Sequence, residues 1–357
     1  MASESSSVEI LRASLGSKWP AINKSVQTSI QKKRELLDLF SQGQTPDSED
    51  RSVVAFGSVG RDEWTSGSDL DWTLLVDGTA DPAHLMIAQE IESKLQLAKF
   101  REPSRNGVFG SMAFSHDIIH KIGGENDTNR NTTQRILLLL ESTVVAERPD
   151  AYNRVIRGVF NRYLEEDTSF PDQGGKQYRV PRFLLNDIVR FWRTMAVDFA
   201  SKQRERGGKG WGLRNAKLRM SRKLIFVSGL LMCFSCSLSF PHEDTQRIPD
   251  TAVHPLVDHL VSFAKQTPLE ILAEALLSYE EMSETALKIF NAYDQFLAML
   301  DEKDSREELD ALTAQNAAAS DTFQKMRAIS HEFQDGLTRL FFENAKLAPL
   351  TRKYGVF

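Results

Sequence analysis

Two carboxylates at close spacing are the residues in this chain best suited to chemistry. Asp69 and Asp71 are separated by one residue, so on an extended strand both side chains project from the same face. Hard divalent cations that accompany nucleotide phosphates prefer one or two carboxylates together with phosphate oxygens and water. We therefore predict that Asp69 and Asp71 share the ligation of magnesium, with manganese as the alternative ion.

A glycine-serine pair precedes these carboxylates, with ten residues between Ser58 and Asp69. Gly57 lets the backbone approach a phosphate closely, Ser58 adds a hydroxyl donor, and a following helix would point its amide groups at the anion. Apolar runs at residues 53–56 and 72–76 have the composition of buried strands. The pattern predicts two strands that present phosphate-binding and metal-binding groups at one end of a sheet.

The stretch from residue 51 to 77 resembles the nucleotidyltransferase superfamily typified by DNA polymerase beta. The pattern of that superfamily is Gly-Gly or Gly-Ser, a spacer of about ten residues, and Asp-x-Asp or Asp-x-Glu on the second strand. Residues 57–61 and 68–71 are most similar to uridylyltransferases of the PII nitrogen sensor and their bacterial relatives. The resemblance implies that Gly57, Ser58, Arg61 and Ser68 bind a nucleotide.

The same resemblance implies a third carboxylate on the next strand, as a general base or metal ligand. Residues 110–123 are expected to form that strand, and Asp117 is the predicted third carboxylate; the alternative is a solvated strand position. Asp127 is the second candidate, although it also resembles a helix cap. On a strand, His116 and His120 would stand roughly 13 Å apart, too far to ligate one ion.

Basic residues in the second half of the chain are candidates for binding the triphosphate. Members of this superfamily often place such a residue on a helical lobe, where it neutralises the leaving pyrophosphate. Arg214 and Lys217 lie at the edge of an apolar helical stripe and are the predicted phosphate ligands. Arg190 and Arg193 are weaker candidates. The alternative is a solvated basic helix face.

The C-terminal segment contains a tyrosine next to a glycine. Tyr354 could swing into the site and offer its phenol as the nucleotide acceptor, so that the enzyme primes or modifies itself. The alternative is that Val356 and Phe357 pack on the helical lobe and Tyr354 takes no part.

Length and composition predict a two-lobed globular enzyme of the α+β class. The chain has 357 residues, 41% hydrophobic content and a net charge of -5, which argues against coating nucleic acid through bulk charge. We expect a polymerase beta-like lobe with a small mixed sheet and a larger all-helical lobe. The predicted boundaries are an N-terminal helical segment at 1–45, a catalytic domain at 46–143 and a helical domain at 144–357.

Several helices are predicted from apolar periodicity. Residues 10–41 are expected to be helical, and a helix that covers the sheet is expected to have Leu85, Ala88, Ile91 and Leu95 as its buried stripe. Residues 270–300 should form a helix or a helical hairpin, residues 301–310 an exposed turn or helix start, and residues 313–342 a further helical run.

The sequence predicts a cytoplasmic protein without a membrane span. The N-terminus lacks the pattern of a secretory signal. Residues 224–240 are uncharged, but 17 residues diluted by four serines favour a buried central helix over a membrane span. Cys233 and Cys236 fall within this run without a second cysteine pair, so both are predicted to be core thiols.

The expected activity is a magnesium-dependent, template-independent transfer of a nucleoside monophosphate from an NTP or dNTP to a hydroxyl, with release of pyrophosphate. No duplex-binding signature is apparent in the sequence. Three acceptors fit: a protein side chain, a small molecule or transfer RNA end, and a growing oligonucleotide. Stand-alone enzymes of this superfamily in bacterial anti-phage systems, including the Hailong type, make nucleotide signals that a partner effector detects, and this role is the favoured expectation.

Two alternatives to signal synthesis stay open. The first is a protein-modifying uridylyl- or adenylyltransferase of the toxin or antitoxin kind. The second is an inactive binding partner that keeps the fold. Paired carboxylates argue against the second, because their mutual repulsion costs stability when no metal is bound.

Overall fold

The computed structural model describes residues 6–42, 45–103, 108–166, 180–205, 208–239 and 255–355. These ranges form a small mixed sheet and a large set of helices, which confirms the predicted α+β class. The first part of the chain contains α1 (Ser7–Ser14), α2 (Pro20–Ser41), β1 (Arg51–Phe56), α3 (Gly57–Gly60), β2 (Asp71–Val76), α4 (Ala83–Leu97), β3 (Ser111–Phe114), α5 (Ser115–Ile119), α6 (Asn129–Leu140) and β4 (Thr143–Val144). The second part contains α7 (Asp150–Glu166), α8 (Arg182–Glu205), α9 (Trp211–Arg219), α10 (Ser221–Leu238), α11 (Pro255–Ala264), α12 (Pro268–Leu277), α13 (Ser283–Asp301), α14 (Lys303–Ala311), α15 (Asp321–Glu343) and α16 (Leu347–Leu350).

The sheet has the strand order β3-β2-β1-β4. Strand β1 runs antiparallel to β2 and to β4, whereas β2 and β3 are parallel. In the register of β1 and β2, Phe56 pairs with Asp71. The turn that follows β1 therefore lies beside the first residue of β2, at one end of the sheet.

Helices cover both faces of the central strands. Because side chains alternate along a strand, Val54 and Phe56 join the large helical core, whereas Val53 and Ala55 face a smaller cluster on the other side. That smaller cluster is completed by α4 and by the C-terminal half of α2, through residues such as Leu36. Burial on both faces explains why β1 and β2 read as continuous apolar runs.

The helical region is built around α10, which packs against α8 and α12. Cys233 and Cys236 are both 0% exposed on this helix, which confirms them as core thiols. Within the described chain, one stretch, Trp211–Leu238, is long and apolar enough by length and composition to cross a membrane. Since 67% of its most apolar window is buried inside the protein, it has the character of a core helix, as predicted.

Residues 10–41 are largely helical, as predicted, but they are divided between two separate helices, α1 and α2. Trp19 takes a left-handed conformation with φ of 38°, and Pro20 begins α2. Proline disfavours helical geometry in the residue before it but fits the first turn of a new helix. Asp294 of α13 accepts hydrogen bonds from the amides of Ala21 and Ile22, at 2.8 and 2.9 Å, and so caps α2.

Two further sequence predictions need correction. The strand expected over residues 110–123 ends at Phe114, and α5 follows it. The predicted domain boundaries stay predictions, and the one at residue 143 falls at β4, a strand of two residues. On α4, Leu85 is 53% exposed instead of buried, while the other three residues of the predicted stripe are buried.

The later helices follow the predicted pattern more closely. Residues 270–300 fall in two successive helices, α12 and α13, which pack mainly against other helices. The charged segment expected as a turn or helix start is α14, and α15 accounts for the last long apolar stripe. Helix α14 lies beside α9 and α13, which brings it to the cavity described next.

Candidate active site

The glycine-serine turn after β1 forms one wall of a cavity. Gly57 has φ of +69°, and a β-carbon there would stand 3.0 Å from Oδ2 of Asp71. Both the backbone conformation and the space therefore favour glycine. Ser58 lies in the first turn of α3, and its buried hydroxyl has no hydrogen-bond partner among the residues that the structure describes. A buried polar atom that lacks a partner is uncommon, and a ligand or a water molecule can supply that partner.

The two predicted metal ligands line this cavity. Asp71 is the first residue of β2, and Asp69 is two residues upstream in the preceding loop. Burial, together with the negative charges of Asp69 and Glu141, raises the pKa of Asp71 to about 7. Clustered acidic groups of this kind are stabilised when a cation approaches them.

Cations from three helices face the carboxylates. Lys217 of α9, Arg222 of α10 and Arg306 of α14 all line the cavity. Burial lowers the pKa of Lys217, and the nearby charge of Asp69 opposes that shift. Burial also lowers the pKa of Arg306, again opposed by Asp69. The helical region thus supplies these three cations, whereas Asp69 and Asp71 come from the loop before β2 and from the first residue of β2.

The cavity between the sheet and the helices has a volume of about 510 Å³, in the range expected for a small-molecule site. Its polar lining comes from both regions, and apolar side chains flank the charged centre. The apolar and aromatic members of the lining are Val108, Phe109, Leu137, Phe191, Met195, Ile225, Phe296, Leu297 and Leu300. This combination of a charged centre and apolar flanks fits a ligand with both phosphate and ring components.

A buried ion-pair network lies behind the turn. Arg61 donates from Nε to Glu63, at 2.8 Å, and from Nη1 to Glu141. The hydroxyl of Tyr293 in α13 donates to Oε1 of Glu63 at 2.6 Å. A β-carbon on Gly60 would overlap the carbonyl of Glu141, so the turn and the chain before β4 pack without room for a side chain. The network fixes the turn against both the sheet and the helical region.

The structure brings together most of the site residues predicted from the sequence. The lining of the cavity includes Gly57, Ser58, Arg61, Ser68, Asp69, Asp71 and Lys217. Two of these side chains already form hydrogen bonds within the protein. Arg61 belongs to the network above, and the hydroxyl of Ser68 accepts a hydrogen bond from the Thr65 amide at 3.0 Å. Arg214 is not among the lining residues, and its Nη2 donates to the carbonyl of Lys209 at 2.8 Å.

The prediction that Asp117 lies on the third strand is wrong. Asp117 is part of α5, its side chain is 47% exposed, and it pairs with Lys121 at 2.5 Å. It is not among the residues that line the cavity. The helix also changes the expected distance between His116 and His120, whose ring centroids are 5.3 Å apart because they lie one turn apart.

Asp127 and Arg190, the weaker candidates, belong to a different cluster. Asp127 pairs with the buried Arg135 at 2.7 Å, and Thr128 is the N-cap of α6. Arg190 donates to the carbonyl of Asp127 at 2.7 Å and to Asn129 at 3.1 Å. Neither Asp127 nor Arg190 lines the cavity.

Tyr354 lies in a short π-helical turn, Thr351–Gly355, and packs against the helical core. The amino group of Lys353 stands 5.1 Å from the centroid of its ring. Tyr354 is absent from the cavity lining, so its place agrees with the alternative in which it takes no part. Val356 and Phe357 lie outside the described residues.

Sequence reasoning missed several charged residues of the cavity, namely Glu141, Asp198, Arg222 and Arg306. Arg306 sits in a segment read as an exposed charged turn, and nothing in its local sequence marks it. Arg222 follows Lys217 by five residues and was visible only as part of a basic cluster before an apolar run.

Comparison with protein families supports this location of the site. Residues 33–104 match the family model described as "Nucleotidyltransferase domain". The match contains β1, α3, β2 and α4, and therefore the turn at Gly57 and both Asp69 and Asp71. A search of curated proteins gave no match. The predicted likeness to PII uridylyltransferases and to the Hailong system stays a prediction.

The matched domain supports nucleotidyl transfer as the general activity, with a nucleoside triphosphate as the substrate it implies. The chain therefore contains a nucleotidyltransferase domain of the polymerase beta-like kind at residues 33–104, followed by a helical region that completes its cavity.

Proposed function

We propose that this protein transfers a nucleoside monophosphate from an NTP or dNTP to a hydroxyl acceptor and releases pyrophosphate. The observation that carries the proposal is the meeting, in one cavity, of the unpartnered Ser58 hydroxyl, the carboxylates of Asp69 and Asp71, and the buried Lys217. These groups come from three separate parts of the chain. They supply a hydrogen-bond donor for phosphate oxygens, a site for a divalent cation and a positive charge that offsets the charge of the phosphates.

The donor set at Asp69 and Asp71 fits magnesium or manganese bound together with a nucleotide. Across the described ranges there is no group of three or more His, Cys, Asp or Glu side chains placed to hold an ion. A site with two carboxylates suits magnesium, which usually keeps water and phosphate oxygens in its coordination shell. When bound, the ion supplies charge neutralisation of the triphosphate.

The side chains of the cavity have separate tasks. The Ser58 hydroxyl and the amides at the start of α3 bind phosphate oxygens, and Lys217 offsets the charge that develops on the leaving pyrophosphate. The attacking hydroxyl oxygen forms a bond to the α-phosphorus, and the bond from that phosphorus to the bridging oxygen breaks. The hydroxyl proton leaves to solvent or to a carboxylate of the cavity.

The acceptor classes expected from the resemblance stay predictions. Synthesis of a nucleotide or oligonucleotide signal in anti-phage defence remains the favoured one, and protein modification is the alternative. The intact cavity favours an active enzyme over an inactive binding partner, since a pure binder gains nothing from buried carboxylates that repel each other.

The test incubates the protein with magnesium and each of the eight common NTPs and dNTPs, labelled at the α-phosphate. Released pyrophosphate measures turnover, and the label marks the product. We expect release with at least one of them, and loss of that release in the double variant D69N/D71N. The control is Asp77→Asn, because Asp77 follows the same strand but pairs with Arg154 away from the cavity. No release with any nucleotide, or full activity in the double variant, would overturn the proposal.

The labelled product also distinguishes the acceptors. Free labelled oligomers indicate signal synthesis, and a labelled protein band indicates protein modification. Intact-mass analysis of the wild type and of Tyr354→Phe tests self-modification, because an adduct that persists in the variant excludes Tyr354 as the acceptor.

A further inference from the structure

The loop of residues 65–69 connects the turn region to β2 and ends at Asp69. It is closed internally by a hydrogen bond from the Ser68 amide to the Thr65 carbonyl, at 3.0 Å, and by one from the Thr65 amide to the Ser68 hydroxyl, also 3.0 Å. The loop thus has a defined shape of its own. Its placement depends on what holds it from outside, because five residues without regular structure cannot fix the position of a carboxylate.

The end of α13 holds the outer side of the loop. Oδ1 of Asp301 accepts the Ser66 amide at 2.9 Å, and the Ser66 hydroxyl donates to the Asp301 carbonyl at 3.0 Å. Lys24 of α2 donates to the other carboxylate oxygen of Asp301 at 2.7 Å. The helical region therefore binds the loop through two hydrogen bonds to a single serine.

Arg306 of α14 holds the inner side of the loop. Its guanidinium donates to the carbonyl of Gly67, to the Thr65 hydroxyl at 3.3 Å and to the Leu300 carbonyl at 3.4 Å. A β-carbon on Gly67 would overlap the Nε, Cζ and Cδ atoms of Arg306, so the arginine lies flat against this glycine. Gly67 is not at positive φ, and the need for a glycine here comes from space alone.

The same guanidinium lines the cavity and attracts Asp69. Arg306 therefore contacts the loop from Thr65 to Gly67 and also supplies positive charge next to the carboxylate at which the loop ends. A residue that both fixes a loop and attracts its terminal carboxylate can set where that carboxylate stands.

We propose that Arg306 is a positioning residue for Asp69: by packing on Gly67 and binding the loop of residues 65–69, it holds the Asp69 carboxylate in the place where it meets a divalent cation. Half of the metal site thus depends on a helix more than 200 residues away in sequence. The inference rests on the proposed function for the role of Asp69, but the hold on the loop is measurable without catalysis.

The first experiment measures amide hydrogen exchange of the loop in the full-length protein without nucleotide. In Arg306→Ala we expect exchange at the amides of Ser66 and Ser68 to become at least about tenfold faster, because the loop opens more often. The matched control is Arg101→Ala, since Arg101 donates to the same Gly67 carbonyl at 3.3 Å from the exposed side and does not line the cavity. Equal exchange in the wild type and Arg306→Ala would overturn the proposal.

The second experiment measures binding of Mn²⁺ by electron paramagnetic resonance, with and without a non-hydrolysable ATP analogue. We expect the affinity to fall about tenfold in Arg306→Ala and to stay within about twofold of wild type in Arg101→Ala, in line with the usual effect of residues that orient metal ligands. Faster loop exchange with unchanged Mn²⁺ affinity would show that Arg306 holds the loop without positioning Asp69, and would overturn the inference.

A double-mutant cycle isolates the contact between Gly67 and Arg306. Gly67→Ala alone should weaken Mn²⁺ binding, because the new methyl group displaces the guanidinium. In the Arg306→Ala background the same change should add nothing, since the atoms that it would displace are gone. Additive effects of the two substitutions would contradict the proposal.

Two controls distinguish failure of this inference from misfolding of the variant and from failure of the proposed function. If Arg306→Ala does not fold, as judged by far-ultraviolet circular dichroism, Arg306→Lys replaces it: lysine keeps the charge but loses the fork that reaches several acceptors, so loop exchange should still rise. If the wild type releases no pyrophosphate with any nucleotide, the proposed function fails, whereas the exchange and Mn²⁺ measurements still decide the role of Arg306.

Discussion

Two buried charged clusters in this molecule differ in how their hydrogen bonds are used. In the first, here called the Arg135 cluster, Arg135 is 0% exposed and all three guanidinium nitrogens donate to protein oxygens. Nε donates to Tyr163 at 2.7 Å, and Nη2 donates to Asp127 at 2.7 Å and to Asp187 at 2.8 Å. The Tyr163 hydroxyl in turn donates to Asp187 at 2.6 Å. The Arg135 cluster is closed, and it ties α6 to α7 and α8.

The second cluster lines the cavity and is open. The Ser58 hydroxyl has no partner, and the pKa of Asp71 is raised to about 7 by burial next to other carboxylates. A closed cluster, whose hydrogen bonds are made within the protein, stabilises the fold. An open cluster keeps like charges close together, and a bound cation or other ligand reduces their repulsion. The two clusters therefore differ in whether the protein itself supplies the partners of their buried polar groups.

The largest effect expected from this comparison is on stability. Arg135→Ala leaves the buried Asp187 without a cation and Asp127 with only the more distant Arg190, at 3.6 Å, which should lower the free energy of unfolding by about 3–5 kcal/mol. Urea unfolding followed by circular dichroism measures the change. The control is Arg130→Ala, an exposed position on the same helix, where the loss should stay below about 0.5 kcal/mol. Equal losses in the two variants would remove the distinction between the clusters.

The converse is expected in the open cluster. Asp71→Asn should lower the rate of pyrophosphate release by about 10²–10³-fold, as for loss of one preorganised charged group, and leave the free energy of unfolding equal or higher. Stability is kept because the neutral amide ends the repulsion from Asp69 and Glu141. Asp187→Asn is the matched change in the closed cluster, and it should destabilise the protein. Strong destabilisation by Asp71→Asn would contradict the comparison.

The sequence predicted the open cluster better than the closed one, because the main residues of the open cluster are close together in the sequence. The turn at Gly57 and the carboxylates of Asp69 and Asp71 lie within 15 residues, beside two paired strands. Their spacing in the sequence is therefore enough to predict that they are close in space. Arg306 reaches the same cavity only through the packing of α14 against α9 and α13. No local pattern carries that information, because it depends on how distant helices assemble.

Asp117 shows the limit of extending a family pattern. Its expected position assumed that the third strand continues, but β3 ends at Phe114 and the next three residues begin a helix. A short apolar run is compatible with either structure, and periodicity does not settle where the strand stops. Three residues of error at this point were enough to move the carboxylate from the predicted site to the surface.

A smaller effect should distinguish Ser52, near the start of β1, from Ser58, just after the end of β1. Ser58→Ala removes a hydroxyl without a protein partner, so the KM for the nucleotide should rise about tenfold, the size of one hydrogen bond to a charged group, while stability is unchanged. Ser52→Ala removes a hydroxyl that donates to the Arg148 carbonyl at 2.8 Å, and should cost about 1 kcal/mol of stability with little effect on KM. Steady-state kinetics and thermal melting distinguish the two, and a Ser58→Ala variant with lowered stability and an ordinary KM would count against the open cluster.

The smallest effect is expected at the surface, outside both clusters. Asp117 makes an exposed i,i+4 pair with Lys121, and such pairs contribute roughly 0–1 kcal/mol. Asp117→Asn should therefore leave both the melting temperature and the rate of pyrophosphate release within about twofold of wild type, since neither cluster contains this residue. The measurement is informative because it can reverse the assignment. A loss of activity comparable to that of Asp71→Asn, with stability intact, would mean that α5 approaches the cavity during turnover and that Asp117 is the third carboxylate after all.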